Sequence, residues 1–168
     1  MTMRPWLRKL VVTSHVTTSV GWLGAVIMFL ALAVLALTSS DPATVRGAYI
    51  VLQPTGTYVL VPLAVLSLTT GVISSLGTGW GLVQHYWVLI KLLITAVSTA
   101  VLVLYLQTFR LVAEAAANPA TPLSAVRNAS PALHSALALI VLLAATILAI
   151  YKPKGITGWG WRRRPTTS

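Results

Sequence analysis

Apolar residues dominate four long stretches of this chain, separated by short polar breaks. A helix needs ~20 apolar residues to cross ~30 Å of hydrocarbon. Residues 10–37, 58–76, 86–109 and 131–151 meet that requirement. The first stretch exceeds it and is expected to tilt or protrude. The second carries Pro62 near its start, where a missing N–H is best tolerated. Gly77-Thr78-Gly79-Trp80-Gly81 breaks the chain after it, and Asn118-Pro119 and Thr121-Pro122 do the same between the third and fourth. The segments 38–57 and 110–130 could each hold a short surface helix, and 110–117 continues the helical composition of the third stretch. In the first of these segments an amphipathic pattern would turn Tyr49, Ile50 and Leu52 toward lipid.

Composition makes lipid the solvent. The apolar fraction is 57% and the charged fraction 8%, against roughly 25% charged in soluble domains. A length of 168 residues suits one domain. The formal charge of +10 comes from 12 Lys+Arg against 2 acids. Most of that excess flanks the apolar stretches, so it reads as membrane orientation and headgroup contact, with no nucleic-acid partner expected. Arg4, Arg8 and Lys9 precede the first stretch, and Lys152, Lys154, Arg162, Arg163 and Arg164 follow the fourth. An even number of crossings puts these groups on one side. The opposite loops hold Arg46, Arg110 and Arg127 with both acids, Asp41 and Glu114. The positive-inside rule then places both termini and the Gly-rich turn in the cytoplasm. Trp6, Trp80, Trp87, Trp159 and Trp161 form an aromatic belt at that interface. The basic N-terminus resembles the start of a signal peptide, but the apolar run after it outlasts the ~7–15 residues of a signal core, so it is read as a retained span.

Polar groups inside the stretches are the functional candidates, because ionisable residues in hydrocarbon are costly and usually face the bundle interior. His15 and Lys91 each lie ~8 Å in from the same face, at 1.5 Å per residue. Their matched depth permits contact. The helical face of His15 carries Thr18, Ser19 and Trp22; that of Lys91 carries Thr95 and Ser98, with Tyr105 further along. The second stretch offers Ser67, Thr70, Gly71 and Ser74, and the fourth shows His134, Ala138, Ala145 and Ala149 on one stripe. Small and hydroxyl residues of this kind also seat helices against each other and bond back to carbonyls. Lys91 could equally lift its ammonium to the interface along its own stem. His85 reads as interfacial, beside Tyr86 and Trp87. His134 enters from the opposite face, ~15–20 Å from His15 in depth, so the two should not share an iron. His15 with His85, or His15 with Lys91, could serve one cofactor.

Several chemistries have no residues to use. There is no cysteine, which removes thiolate metal sites, Fe–S clusters and Cys nucleophiles. No Walker loop, GxGxxG, HExxH or Gly-x-Ser-x-Gly is present. No Asp or Glu lies inside a stretch, so carboxylate proton relays and two-metal hydrolysis lack ligands.

The first stretch reads His15-Val-Thr-Thr-Ser-Val-Gly-Trp22-Leu23-Gly24, the third opens Trp87-Val-Leu-Ile-Lys91-Leu92, and the chain continues past Tyr151-Lys-Pro-Lys-Gly155 to a Gly-Trp-Gly. These features together resemble a family of small four-helix bacterial membrane proteins of unknown function, over nearly the whole chain. More distantly, the first-helix His followed by Trp-x-Gly resembles the copper-resistance D membrane family. With Trp-x3-Lys-Leu opening a later helix, it also resembles the oxygen-independent, haem-binding protoporphyrinogen oxidase of bacterial membranes. The chain departs from that oxidase at Thr38-Ser39-Ser40-Asp41 and at Gln107-Thr108-Phe109-Arg110, where the family places a Pro-Arg pair and further histidines. The oxidase resemblance implies haem b as cofactor, His15 as its axial metal ligand and Lys91 as a functional partner.

The expectation is therefore an all-α, antiparallel four-helix membrane bundle in the bacterial plasma membrane, with both termini cytoplasmic. Its expected role is haem b binding and redox association through His15, Lys91 and His85. The competing expectation is a non-enzymatic scaffold that assembles with other membrane subunits or with itself. A small transporter is a third reading, weakened by the scarcity of carboxylates and by only 3 Met.

Overall fold

A computed structural model describes residues 3–77 and 81–162. Every element of regular structure among them is helical. The order is α1 (Pro5–Thr38), α2 (Pro42–Thr55), a π-helical turn (Gly56–Leu60), α3 (Val61–Leu76), α4 (Tyr86–Ala117), α5 (Leu123–Val126), α6 (Ser130–Tyr151) and α7 (Gly158–Arg162). Counting Pro42–Leu76 as one continuous rod, four helices are long and apolar enough to cross a membrane. Large apolar side chains face outward along them, such as Leu104 at 80% exposure and Ile150 at 69%. Water would not tolerate that surface, whereas acyl chains match it.

The second rod begins sixteen residues before the sequence pattern placed it, at Pro42 instead of residue 58. Arg46, Gln53 and the run Pro54-Thr55-Gly56-Thr57 read as loop residues in sequence, yet all lie within helix. Asp41 starts it. Its carboxylate accepts from the Ala43 N–H at 3.2 Å, the Thr44 N–H at 2.9 Å and the Thr44 hydroxyl at 2.6 Å. That N-cap satisfies donors the first turn would otherwise leave orphaned. Pro62 therefore sits inside the rod instead of near its start. The wider π turn just before it takes up the disruption, with the Val61 N–H donating to Gly56 O. Gly56 is needed there for space, since a Cβ would fall 2.7 Å from Phe109 Cδ2.

The early start also reverses the expectation for the 38–57 segment. Tyr49 and Leu52 do not face lipid; they are 0% and 1% exposed. The Tyr49 hydroxyl donates to Asn128 O at 2.9 Å and accepts from the Asn128 N–H at 2.8 Å. With both polar needs met, the ring can fill the core. Ile50 does face outward.

Two arginines tie the ends of long helices. Arg46 donates to Ala116 O, Asn118 O and Thr121 O at 3.0, 2.9 and 2.6 Å, capping the C-terminus of α4. Arg127 does the same for α1, through Ala36 O, Leu37 O and Ser39 O. A guanidinium suits this position because it meets both the orphaned carbonyls and the negative end of the helix dipole. The packed core lies toward this end, where Phe29, Ala33 and Ala36 of α1 meet Val45 and Tyr49 of α2 and Phe109 of α4.

The opposite end is more open. After α6 the chain turns at Lys152, in a left-handed conformation with φ +43°. It then runs back under α4. The Thr157 N–H donates to Gln84 O at 3.0 Å, its hydroxyl to Val83 O at 2.5 Å, and Ile156 pairs with His85 in an isolated antiparallel bridge. Gly160 permits the approach, because a Cβ there would lie 2.6 Å from Gln84 O. The Gly-rich break predicted at 77–81 is partly described. Gly77 ends α3 and Gly81 has φ +60°, while Trp80 and its neighbours 78–79 lie outside the described residues, as do Arg163 and Arg164.

Candidate functional site: a basic cavity at the open end

α1 and α3 meet through their hydroxyl and glycine faces. Ser19 and Ser67 share a hydrogen bond between hydroxyls at 2.7 Å. One turn toward the open end, the His15 ring lies against Gly71, whose missing side chain makes the space. A Cβ there would fall 2.9 Å from His15 Cε1. His15 Nδ1 lies 3.1 Å from Ser67 O and 3.2 Å from Thr70 Oγ1. A carbonyl can only accept, so Nδ1 carries the proton and donates to it. In the neutral ring Nε2 then holds the lone pair. Nε2 makes no hydrogen bond within the described residues, and no buried side-chain N or O among them lacks a partner, so Nε2 is accessible. A histidine anchored at one nitrogen by a backbone carbonyl, with the other free, is the usual arrangement of a metal ligand.

Lys91 enters from α4. It and His15 line one cavity of about 360 Å³, within the range of small-molecule and cofactor sites. Lys91 Nζ sits 6.0 Å from the centre of the Trp87 ring, the outer limit of a cation–π contact. Arg8 from the start of α1 and Lys152 from the left-handed turn after α6 line the same cavity, with Ser67, Ser74, Ser75 and Thr95 supplying hydroxyls. No carboxylate among the described residues does so. Both acids belong to the other end, Asp41 at the cap of α2 and Glu114 in the last turn of α4. Among the described residues the cavity is therefore lined by three basic side chains and no acidic one, a lining suited to an anionic occupant.

His85 does not join this group. It is the residue before α4, paired through its backbone with Ile156, and is not among the cavity's lining residues. His134 belongs to a second, apolar cavity, where its Nδ1 donates to Ser130 O at 2.8 Å. Among the described residues no three His, Asp or Glu side chains gather to hold a bare metal ion. The three threonines singled out in the stretches bond back along their own helices, as packing alone requires. Thr18 donates to Ser14 O, Thr70 to Leu66 O and Thr95 to Lys91 O.

Arg8 and Lys152 were legible in sequence only as topology signals. What brings Lys152 to the cavity is the left-handed turn, which a lysine does not announce. Gly71 was legible as a small residue, but its role as the seat of a histidine required the α1–α3 register. No family model, curated protein or solved structure matches the chain.

Proposed function

We propose that this protein is an integral membrane cofactor-binding bundle, and that its basic cavity would hold haem b, with His15 as the residue that would bind the iron. One observation carries the reading: His15, with an accessible Nε2, opens into the same cavity as Arg8, Lys91 and Lys152. The donor set fits the group. Iron takes a neutral imidazole nitrogen, and the two propionates of haem require cations, which line this cavity with no carboxylate beside them among the described residues. Bound haem would supply one-electron redox chemistry at this face of the membrane. The chain's own contributions are to hold His15 in one tautomer through Ser67 and to neutralise the propionates with Arg8, Lys91 and Lys152.

The orientation belongs to the same proposal. The helices run antiparallel across a bacterial plasma membrane, with the basic termini and the cavity on the cytoplasmic side. The clustering of Arg4, Arg8, Lys9, Lys152 and Lys154 about one end supports it.

Purification from haem-replete cells, followed by an absorption spectrum, tests the reading. A Soret band that is lost or shifted by His15→Ala and kept by His134→Ala is expected. A wild-type protein with no Soret band, before or after added haemin, would overturn it and favour the scaffold reading, in which the exposed apolar helix faces meet other membrane subunits.

A further inference from the structure

The second cavity, of about 400 Å³, is of a different kind. It lies among α1, α4 and α6 and shares no lining residue with the basic cavity. Its outer lips are Leu93, Val97 and Val101 of α4 and Leu137 of α6, all exposed on the face that meets acyl chains. Its inner wall is aromatic. Tyr105 stacks on His134 at 4.3 Å between centroids and meets Phe109 edge-on at 5.0 Å, and Phe109 packs on Phe29 at 4.9 Å. It is a cleft that a molecule dissolved in the bilayer can enter sideways.

Three polar groups of this cleft are paired within the protein. The Ser135 hydroxyl donates to Pro131 O at 2.7 Å, and the Tyr105 hydroxyl pairs with that of Ser130. His134 Nδ1 donates to Ser130 O. By the argument used for His15, Nε2 of the neutral ring is an accessible lone pair with no partner among the described residues. Trp22 adds an indole N–H, which can only donate, and Ser98 a hydroxyl that can donate or accept and so imposes no choice. His134 does impose one: it accepts, and therefore favours a ligand that donates.

We propose that this cleft binds a lipid-soluble aromatic alcohol, of the phenol or hydroquinone class, with its hydroxyl on His134 Nε2. The ring lies against the aromatic wall, where stacked and edge-on contacts favour a planar π-system over an aliphatic one. Its apolar tail leaves between α4 and α6 into the bilayer. The volume admits one ring and the first part of a tail. An aryl ether carrying the same ring and tail but no hydrogen to donate should bind less well, because it would leave Nε2 without a partner.

The test uses full-length protein in lipid nanodiscs. Retention of reduced decyl hydroquinone, above that of protein-free discs, is compared with retention of its dimethyl ether. The wild-type protein should prefer the hydroquinone by about tenfold, the contribution of one hydrogen bond. His134→Phe keeps the stack and removes the acceptor, so it should bind both probes alike. Leu137→Trp, on an outward-facing lip where folding is not at stake, should lose both. Equal retention of the two probes by the wild type would overturn the proposal. So would a preference that survives in His134→Phe, or unaltered binding in Leu137→Trp. Haem content does not enter this readout, so the outcome is separate from that of the basic cavity.

Discussion

Two glycines on the second rod should respond to alanine in opposite ways. At Gly71 the added Cβ meets only the far edge of a side chain, 2.9 Å from His15 Cε1. Normal carbon contacts lie near ~3.5–4.0 Å, so the ring must swing away. That costs the bond from Nδ1 to Ser67 O, about 0.5–1.5 kcal/mol. Alanine returns about 0.8–1 kcal/mol of helix propensity, so the fold should barely notice. The ligand should. With the ring displaced, Nε2 no longer points where an anchored imidazole held it, and haemin affinity should fall about tenfold or more, as for a lost supporting contact at a metal site. At Gly56 the Cβ lies 2.7 and 2.9 Å from two atoms of the Phe109 ring. That ring is hemmed in by Phe29 and Tyr105 and cannot swing. Overpacking of this kind costs about 1–3 kcal/mol, only part of which propensity offsets. Helicity followed by circular dichroism during an SDS titration, beside a haemin titration in mild detergent, separates the two effects. Gly71→Ala should bind poorly and unfold normally; Gly56→Ala should bind normally and unfold early. A Gly71→Ala protein that binds haemin as the wild type does would refute the role given to the His15 seat.

The remaining predictions concern the end that holds the core. Arg127→Met removes three donations to the C-terminus of α1 and should lower stability by about 2 kcal/mol or more in the same SDS titration, with Arg127→Lys recovering only part. Tyr49→Phe leaves Asn128 without two partners and should cost about 1–3 kcal/mol, the penalty for unsatisfied polar groups. Hydrogen bonds to Asp41 from the Thr44 side chain first, then from the Thr44 and Ala43 amides, hold its carboxyl below the ordinary aspartate range. The unfolded chain therefore binds that proton more readily. The cap's contribution is complete above an ordinary aspartate value of ~3.9 and is lost as pH falls through the lower folded value. Asp41→Asn should flatten the acid limb of stability in circular dichroism without moving the neutral plateau.

The helices were legible wherever hydrophobicity alone decided them. Residues 131–151 became Ser130–Tyr151, and 86–109 grew to Tyr86–Ala117 along a segment whose composition already pointed to helix. The second rod was misread because its first half is held by tertiary bonds. Arg46 and Tyr49 look like surface residues until their carbonyl and amide partners, up to 79 positions away, are in place. Pro54 and Pro62 read as helix boundaries, yet a π turn between them lets the rod continue. At the site, helical spacing and depth were enough to single out His15 and Lys91. They were not enough to separate them from His85, since all three lie near one end in sequence terms. Arg8 and Lys152 had a sufficient explanation as topology charges, so nothing in sequence asked for a second role. The bond that fixes the His15 tautomer depends on the register of α1 against α3, which no local pattern encodes.

Titrating haemin and haemin dimethyl ester into the same detergent-solubilised protein gives the most direct test of the basic cavity. The iron and ring are common to both probes, and only the paired carboxylates differ. If Arg8, Lys91 and Lys152 gather there to meet an anion beside His15, haemin should bind far more tightly than the ester. Indifference to esterification, or binding of neither probe, would contradict that account.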